Sequence, residues 1–353
     1  MNFFKVSPES LKQGAEILKN GGLVAFPTET VYGLGADAFN SQALVKVFEV
    51  KGRPSFDPLI IHIAAIETLE KAANLSLLKE ETRKKLYILA ENFWPGPLSI
   101  ILPKSDKIPG IATAGLQTAA FRLPGNETAI KLISLSTGAV AAPSANLFGG
   151  LSPTRAEHVQ SVLGEKIDMI LDGGHSRIGL ESTVLDITGD VFRILRPGGT
   201  PKEAIERLIG KVQIGNEIEN NNEENGQSAY MSPGQLKSHY APRTPLNILT
   251  REEIINKVDI KSGVKELQRN AFLFFDGEAR DTWLNKLNTQ NPPKTAIIKV
   301  LSENGGMLEA ASRLFEILHE LDDLNVLQIF AQLVPNEGLG EAINDRLKRA
   351  SSK

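Results

Sequence analysis

The residues best suited to chemistry lie in Lys51-Gly52-Arg53-Pro54-Ser55-Phe56-Asp57-Pro58, which runs straight into Leu59-Ile60-Ile61-His62-Ile63. Two cations separated by one glycine suit an anion. If the backbone from Lys51 to Arg53 is extended, both side chains point the same way, because side chains alternate along a strand. Gly52 then lets the main chain come close to whatever the cations hold. Pro54 and Pro58 bar a helix here, so the expectation is a loop feeding a strand. A solvated basic loop is the plain alternative, and this stretch alone does not choose between the two.

Polar residues of similar character recur beside other apolar runs. Thr28 and Thr30 follow Leu23-Val24-Ala25-Phe26 in a glycine-rich loop reaching Gly35. Ser144 and Asn146 follow the small-residue strand from Gly138 to Ala142. Ser182 opens the run to Ile187, and Arg196 follows the run from Phe192 to Leu195. Arg122 is embedded in the strand-like Gln117 to Pro124. A buried arginine must be paired with an acid or hold an anion, and both readings stay open. His62 in its apolar strand is either a satisfied structural residue or a ligand contact. Such a set suits reactions needing orientation and charge neutralisation, phosphoryl or adenylyl transfer above all.

Other chemistries lack their residues. The chain has no cysteine, which excludes disulfides, thiolate nucleophiles and cysteine-ligated zinc. Its histidines, at 62, 158, 175, 239 and 319, are too scattered for a histidine metal site. The phosphate-loop, zinc-protease and serine-hydrolase motifs are missing. Gly33-x-Gly35-x-x-Ala38 resembles a dinucleotide fingerprint but does not open a helix directly, so it is set aside. The 39 basic and 42 acidic residues leave a net charge of -3, which argues against a chain that coats nucleic acid.

The elements that must position these residues follow from patterning. With 353 residues, 41% hydrophobic and 23% charged, the chain is long enough for two or three globular domains. Ser7-Pro8 starts a helix that Gly21-Gly22 ends. A second helix starts near Asn40-Ser41 and carries Leu44, Val47 and Phe48 on one face. Short strands interleaved with helices predict an α/β fold with a twisted mixed sheet and flanking helices. From Gly215 to Ser228 the chain is rich in Asn and Glu, as linkers are. Strands at Leu246 to Leu249, Ala271 to Phe275, Thr295 to Val300 and Val326 to Ala331, with a long helix from Met307 to Leu321, predict a smaller α/β domain. The expected division is 1–210, a linker over 211–243, and 244–353. No apolar run approaches the ~20 residues of a membrane span, and no signal pattern opens the chain, so the cytoplasm is the expected location.

Several motifs in order resemble one family. Pro27-Thr28-Glu29-Thr30-Val31-Tyr32-Gly33-Leu34, Lys51-Gly52-Arg53-Pro54 with Pro58-Leu59-Ile60-Ile61-His62, and Pro143-Ser144-Ala145-Asn146 with Ser152-Pro153-Thr154 resemble the YrdC-type threonylcarbamoyl-AMP synthases. Glu181-Ser182-Thr183-Val184 and Arg196-Pro197-Gly198 extend the likeness. Ser232-Pro233-Gly234, His239-Tyr240-Ala241-Pro242 and the Gly338-Leu339-Gly340…Asp345-Arg346-Leu347 tail look like the two-domain members, whose second domain is Rossmann-like.

The resemblance implies a nucleotidyltransferase that makes threonylcarbamoyl-AMP and pyrophosphate from L-threonine, bicarbonate or CO2, and ATP. The product serves tRNA modification beside the anticodon, through downstream threonylcarbamoyl-transferase proteins. By the same resemblance, Lys51 and Arg53 are catalytic. Arg53, Asp57, Thr118, Ser144, Asn146, Ser152, Arg196 and, from the linker, Tyr240 contact ATP. Thr30, His62, Arg122, Ala142 and Ser182 contact threonine, Arg122 through the carboxylate. Mg²⁺ is expected to arrive with ATP, with no metal ligand from the protein, no organic cofactor, at most weak tRNA binding and no membrane partner. The linker is expected to close over the nucleotide. Asp57 departs from the family's usual asparagine and sets an acid beside polyphosphate. Two alternatives remain: an RNA-binding module of the same fold, and a carbamoyl-adenylate-forming maturation factor, whose acylphosphatase and zinc-finger segments this chain lacks.

Overall fold

Short apolar runs make the strands of the first half of the chain, and amphipathic runs make its helices. In order these are β1 (Phe3–Lys5), α1 (Pro8–Lys19), β2 (Val24–Phe26), β3 (Gly33–Asp37), α2 (Ser41–Lys51), β4 (Ile60–Ile63), α3 (Ile66–Ala72), α4 (Glu80–Phe93), β5 (Leu98–Pro103), β6 (Thr118–Arg122), α5 (Glu127–Leu135), β7 (Ala139–Ala141), α6 (Ala156–Leu163), β8 (Met169–Asp172), β9 (Thr183–Asp186), β10 (Arg193–Arg196), α7 (Lys202–Ile209) and β11 (Gln213–Ile214). The computed structural model describes residues 2–215, 239–256, 270–286 and 297–352. These form two units. Most of the expected linker, residues 216–238 with its Ser232-Pro233-Gly234 motif, lies outside the described residues, and so does the expectation that it closes over a nucleotide.

The strands of the first unit form one mixed sheet in the order β1-β8-β2-β3-β7-β4-β6-β5-β9-β10-β11. Parallel pairs such as β4 with β6 and β5 with β9 alternate with antiparallel ones such as β4 with β7 and β5 with β6. The two faces differ. One buries Ile61, Ile63, Ile100, Leu102, Phe121 and Leu185 in the main core, together with Leu44 and Val47 of α2, Leu86 and Leu89 of α4 and Ile205 of α7. On the other, Val24, Phe26, Val140, Met169 and Leu171 pack with α1 and α5. Beyond them on this second face lies a small cluster of strand residues only: Ile60, Ile101, Ala120, Val184 and Leu195. The two-residue period puts His62, Ser99, Thr118 and Arg122 on that same patch.

Two local expectations are overturned. Lys51 is not extended: it is the last residue of α2, and Gly52 caps the helix in the left-handed conformation at φ 61°. The Gly52 amide donates to Glu49 O, and the Arg53 amide donates to Phe48 O, closing a Schellman turn. Pro54 restricts only the residue before it, so the helix reaches Lys51 before it must stop. Nor is Gly33 to Gly35 loop: it belongs to β3, paired antiparallel with β2. Gly35 serves packing, since a Cβ there would lie 2.7 Å from the Phe26 ring and 2.9 Å from a Val140 methyl carbon.

The second unit contains β12 (Leu246–Leu249), α8 (Arg251–Asn256), β13 (Asn270–Asp276), α9 (Gly277–Lys286), β14 (Ile297–Ser302), α10 (Met307–Asp323), β15 (Gln328–Gln332) and α11 (Gly340–Ala350). Its sheet, ordered β12-β15-β13-β14, is parallel throughout, as helix crossovers require. Phe272, Phe274, Trp283, Val300 and Phe330 form an aromatic-rich core. Gly149–Leu151 and Ile178–Leu180 group with this unit. Among the described residues no helix is long and apolar enough to cross a membrane.

Candidate active site

The C-terminal end of α2 delivers Lys51 into the first unit, where its side chain is buried. Lys51 Nζ donates to Ser144 O at 2.6 Å and to Asn146 O, tying down the loop after β7. Ser144 Oγ donates to Asn146 Oδ1 at 2.5 Å. Burial, reinforced by nearby Arg53, holds the Lys51 amine well below its usual range, against the pull of Asp57. The Schellman turn aims Arg53 back along its own loop. Its Nε donates to Asp57 O at 2.9 Å and its Nη2 to Pro58 O at 2.7 Å. The Asp57 carboxylate lies 3.0 Å from Nη2 as an ion pair, and neither of its oxygens has a hydrogen-bond donor among the described residues. Burial pushes this carboxyl above its ordinary range, opposed by Arg53, Lys51 and Arg196.

The parallel pairing of β4 with β6 sets His62 opposite Arg122. His62 Nδ1 lies 3.2 Å from Ile60 O, and Phe26 meets its ring edge-on. Burial, then the Arg122 charge, lowers the imidazole to about 3, so the ring is neutral at physiological pH. With Nδ1 donating to that carbonyl, Nε2 carries the lone pair. Arg122 Nε donates to Gly96 O at 3.1 Å, in the rigid Trp94-Pro95-Gly96-Pro97 turn, and Nη2 meets Glu29 Oε1 at 2.5 Å. Both alternatives for Arg122 therefore bear on this structure: it has an acid partner, yet Nη1 makes no hydrogen bond among the described residues. Thr30 Oγ1 is 2.8 Å from Thr28 Oγ1, and the Ala142 amide donates to Ile60 O.

Ser182, at the mouth of β9, lies 2.8 Å from Ser99 Oγ on β5. Arg196 Nη2 donates to the Ser182 carbonyl at 2.9 Å and to its Oγ at 3.1 Å. Ser152 Oγ donates to Glu181 Oε1. The strands that carry or follow His62, Arg122, Ser99, Ser182 and Arg196 are consecutive in the sheet, in the order β4-β6-β5-β9-β10, and the charge of Arg196 is felt by both Asp57 and His62. Thr118 lies on the same face of β6 as Arg122 but four residues away, roughly 13 Å along the strand. Tyr240 belongs to the second unit. It is buried there, its ring 5.8 Å from Phe315, with the Arg346 guanidinium 4.9 Å from the ring centre.

Sequence reasoning left out Glu29, Ser99 and Glu181. Glu29 had a signal: an acid inside a buried run needs a cationic partner, and Arg122 needed an acid. Among the described residues no three metal-type side chains converge.

A mixed α/β sheet that holds buried arginines and a neutral histidine on one strand-only patch has the make-up of an anion-handling enzyme site. Residues 16–198 match the Sua5_yciO_yrdC family, described as "Telomere recombination", and residues 200–352 match the family described as "Threonylcarbamoyl-AMP synthase, C-terminal domain". The chain belongs to the Sua5/YciO/YrdC family. It is 38% identical to a threonylcarbamoyl-AMP synthase of Pyrococcus abyssi, across 98% of this chain and 95% of that one. To one of Bacillus subtilis it is 39% identical, across 97% and 92%. The crystal structure of P. abyssi Sua5 complexed with L-threonine superposes with a TM-score of 0.84 at 37% identity, covering 99% of this chain and 98% of that one.

Proposed function

We propose that this is an L-threonylcarbamoyladenylate synthase site, an adenylyl-transferring enzyme active on L-threonine, bicarbonate or CO2, and ATP. The observation that carries the reading is the convergence on adjacent strands of the buried His62–Arg122 pair and the Ser182–Arg196 pair, with the Lys51–Asp57 loop as a phosphate-suited cationic segment. The near-full-length likeness to threonylcarbamoyl-AMP synthases supports the same substrates.

Arg122 receives the threonine carboxylate, because a guanidinium matches a carboxylate two-pronged. Neutral His62 offers a lone pair to the ligand's hydroxyl or amine, and Thr30, Ser182 and the Ala142 main chain complete that side. The bound ammonium gives one proton to solvent, and the free amine then attacks CO2 and releases a second, forming a carbamate. A carbamate oxygen then attacks the α-phosphorus of ATP, the bond to the bridging oxygen breaks, and pyrophosphate leaves. Arg53 and Arg196 offset the charge that develops on the phosphate, while Lys51 keeps Ser144 and Asn146 in position beside it. Ser152, Thr118 and Asp57 are the remaining nucleotide contacts in this reading. Mg²⁺ enters as part of the nucleotide substrate and neutralises polyphosphate charge. The adenylate feeds tRNA modification through partner transferases.

The test supplies ATP, Mg²⁺, bicarbonate and each amino acid in turn, and measures pyrophosphate. Release that requires threonine is expected. Release that is absent, or indifferent to the amino acid, would falsify the reading. RNA affinity that collapses with salt and no ATP turnover would favour a binding module instead.

A further inference from the structure

Arg122 is held along one edge of its guanidinium. Nε and Nη2 form that edge, and it is occupied by Gly96 O and Glu29 Oε1. The end of the fork, Nη1 with the second hydrogen of Nη2, is left for a ligand. Glu29 is itself buried, and its Oε2 has no hydrogen-bond partner among the described residues. Gly125 leaves room for the carboxyl: a Cβ there would sit 3.3 Å from Glu29 Cδ.

This arrangement sets the charge that the pocket can accept. Arg122 and Glu29 together are neutral before any ligand arrives, and His62 beside them is uncharged. A plain carboxylate docked on the fork leaves the buried cluster with a net negative charge, which is costly where water is excluded. A zwitterion carries its own ammonium, leaves the cluster neutral, and gives the uncompensated half of Glu29 a cation to face. An arginine without its glutamate has the opposite preference.

We propose that Glu29 is a specificity-determining residue: its carboxylate cancels the charge of Arg122, so the pocket admits an α-amino acid as a zwitterion and discriminates against the same molecule without its amine. This rests on the threonine-site reading, and acts through Arg122 as well as through charge.

The test uses the full chain and two probes, L-threonine and 3-hydroxybutanoate, which is threonine without the amino group. Binding of each is measured by calorimetry for wild type, Glu29→Gln and Glu29→Asp, with thermal melts to confirm folding. Glu29→Gln keeps an acceptor for Arg122 Nη2 and removes only the charge. It is expected to weaken threonine about tenfold or more, the worth of one charged hydrogen bond, while 3-hydroxybutanoate binds as well as before or better. Glu29→Asp keeps the charge and is expected to keep the preference for threonine even if both affinities drop. Equal loss of both ligands in Glu29→Gln makes Glu29 a structural prop for Arg122 and overturns the proposal, as does an unchanged ratio. Wild type that fails to bind threonine overturns the threonine site itself, a different failure from a shifted ratio.

Discussion

Three arginines of each unit are used in different ways. In the first unit Arg53, Arg122 and Arg196 are 8%, 3% and 4% exposed; each is oriented by a main-chain carbonyl, and Arg53 and Arg122 also face one buried carboxylate each, Asp57 and Glu29. In the second unit the Arg243, Arg251 and Arg280 side chains are 75%, 41% and 27% exposed, and each meets two carboxylates. A carbonyl fixes the direction of a guanidinium, and a single buried carboxylate balances its charge without using all five donors, in a water-poor site where charges act strongly. Two carboxylates more than balance it, and where both partners of a pair are exposed the pairing itself is worth little. The first pattern belongs to a site that acts on anions, the second to a solvated surface.

The sharpest break in this contrast is Arg122→Ala. It strands Glu29 as a buried unpaired acid, and the expected loss of stability is about 3–5 kcal/mol, read from the urea midpoint. Threonine-dependent pyrophosphate release should vanish with it. Full stability would mean that Glu29 finds another cation.

Next in size is Lys51→Ala, which frees the Ser144 and Asn146 carbonyls and lets the loop after β7 drift. Pyrophosphate release should drop about 100-fold or more, with circular dichroism unchanged. Wild-type turnover in this variant would reduce the Lys51–Arg53 stretch to a structural turn.

Asp57→Asn tests the buried acid from the other direction. An acid whose folded pKa is raised favours folding only while protonated. That contribution is complete below the unfolded value and is lost as pH rises through the folded one. The asparagine variant, which cannot ionise, should therefore gain stability over wild type at pH 7, and the gain should disappear below about pH 4. Urea midpoints at both pH values decide it; a difference that does not change with pH removes the buried-acid account.

The smallest effect is expected at Arg243→Ala, which loses an exposed ion pair to Asp323 and one to the mostly buried Asp322, whose carboxylate keeps the Thr244 amide as donor. Stability should change by less than about 1 kcal/mol, and turnover should stay as it was. A large drop in either would erase the distinction between the two sets of arginines.

Local signals carried much of the fold. Ser7-Pro8 does open α1, with Ser7 as its N-cap, and Asn40 caps α2. The strand containing His62 and the strand containing Arg122 were legible from their apolar runs, because an extended segment advertises itself by composition. The errors came where one residue type serves two ends. Gly33 and Gly35 read as loop because glycine is a turn residue, yet β3 needs them to clear Phe26 and Val140. Lys51 read as extended because proline breaks helices, yet the helix stops one glycine earlier than proline demands.

The sequence by itself determined most of the elements, and that apolar strands would carry His62 and Arg122 inside, since periodicity and side-chain polarity are local properties. It also determined the family, through short motifs in a set order. Only the tertiary structure decided which charge meets which. That Arg122 takes Gly96 O and Glu29, that Lys51 clamps the loop after β7, and that Arg196 holds Ser182 beside Ser99 depends on strand order β7-β4-β6-β5-β9-β10, in which most neighbours are far apart in the chain. Register between such strands is set by packing of the whole sheet, and no local pattern encodes it.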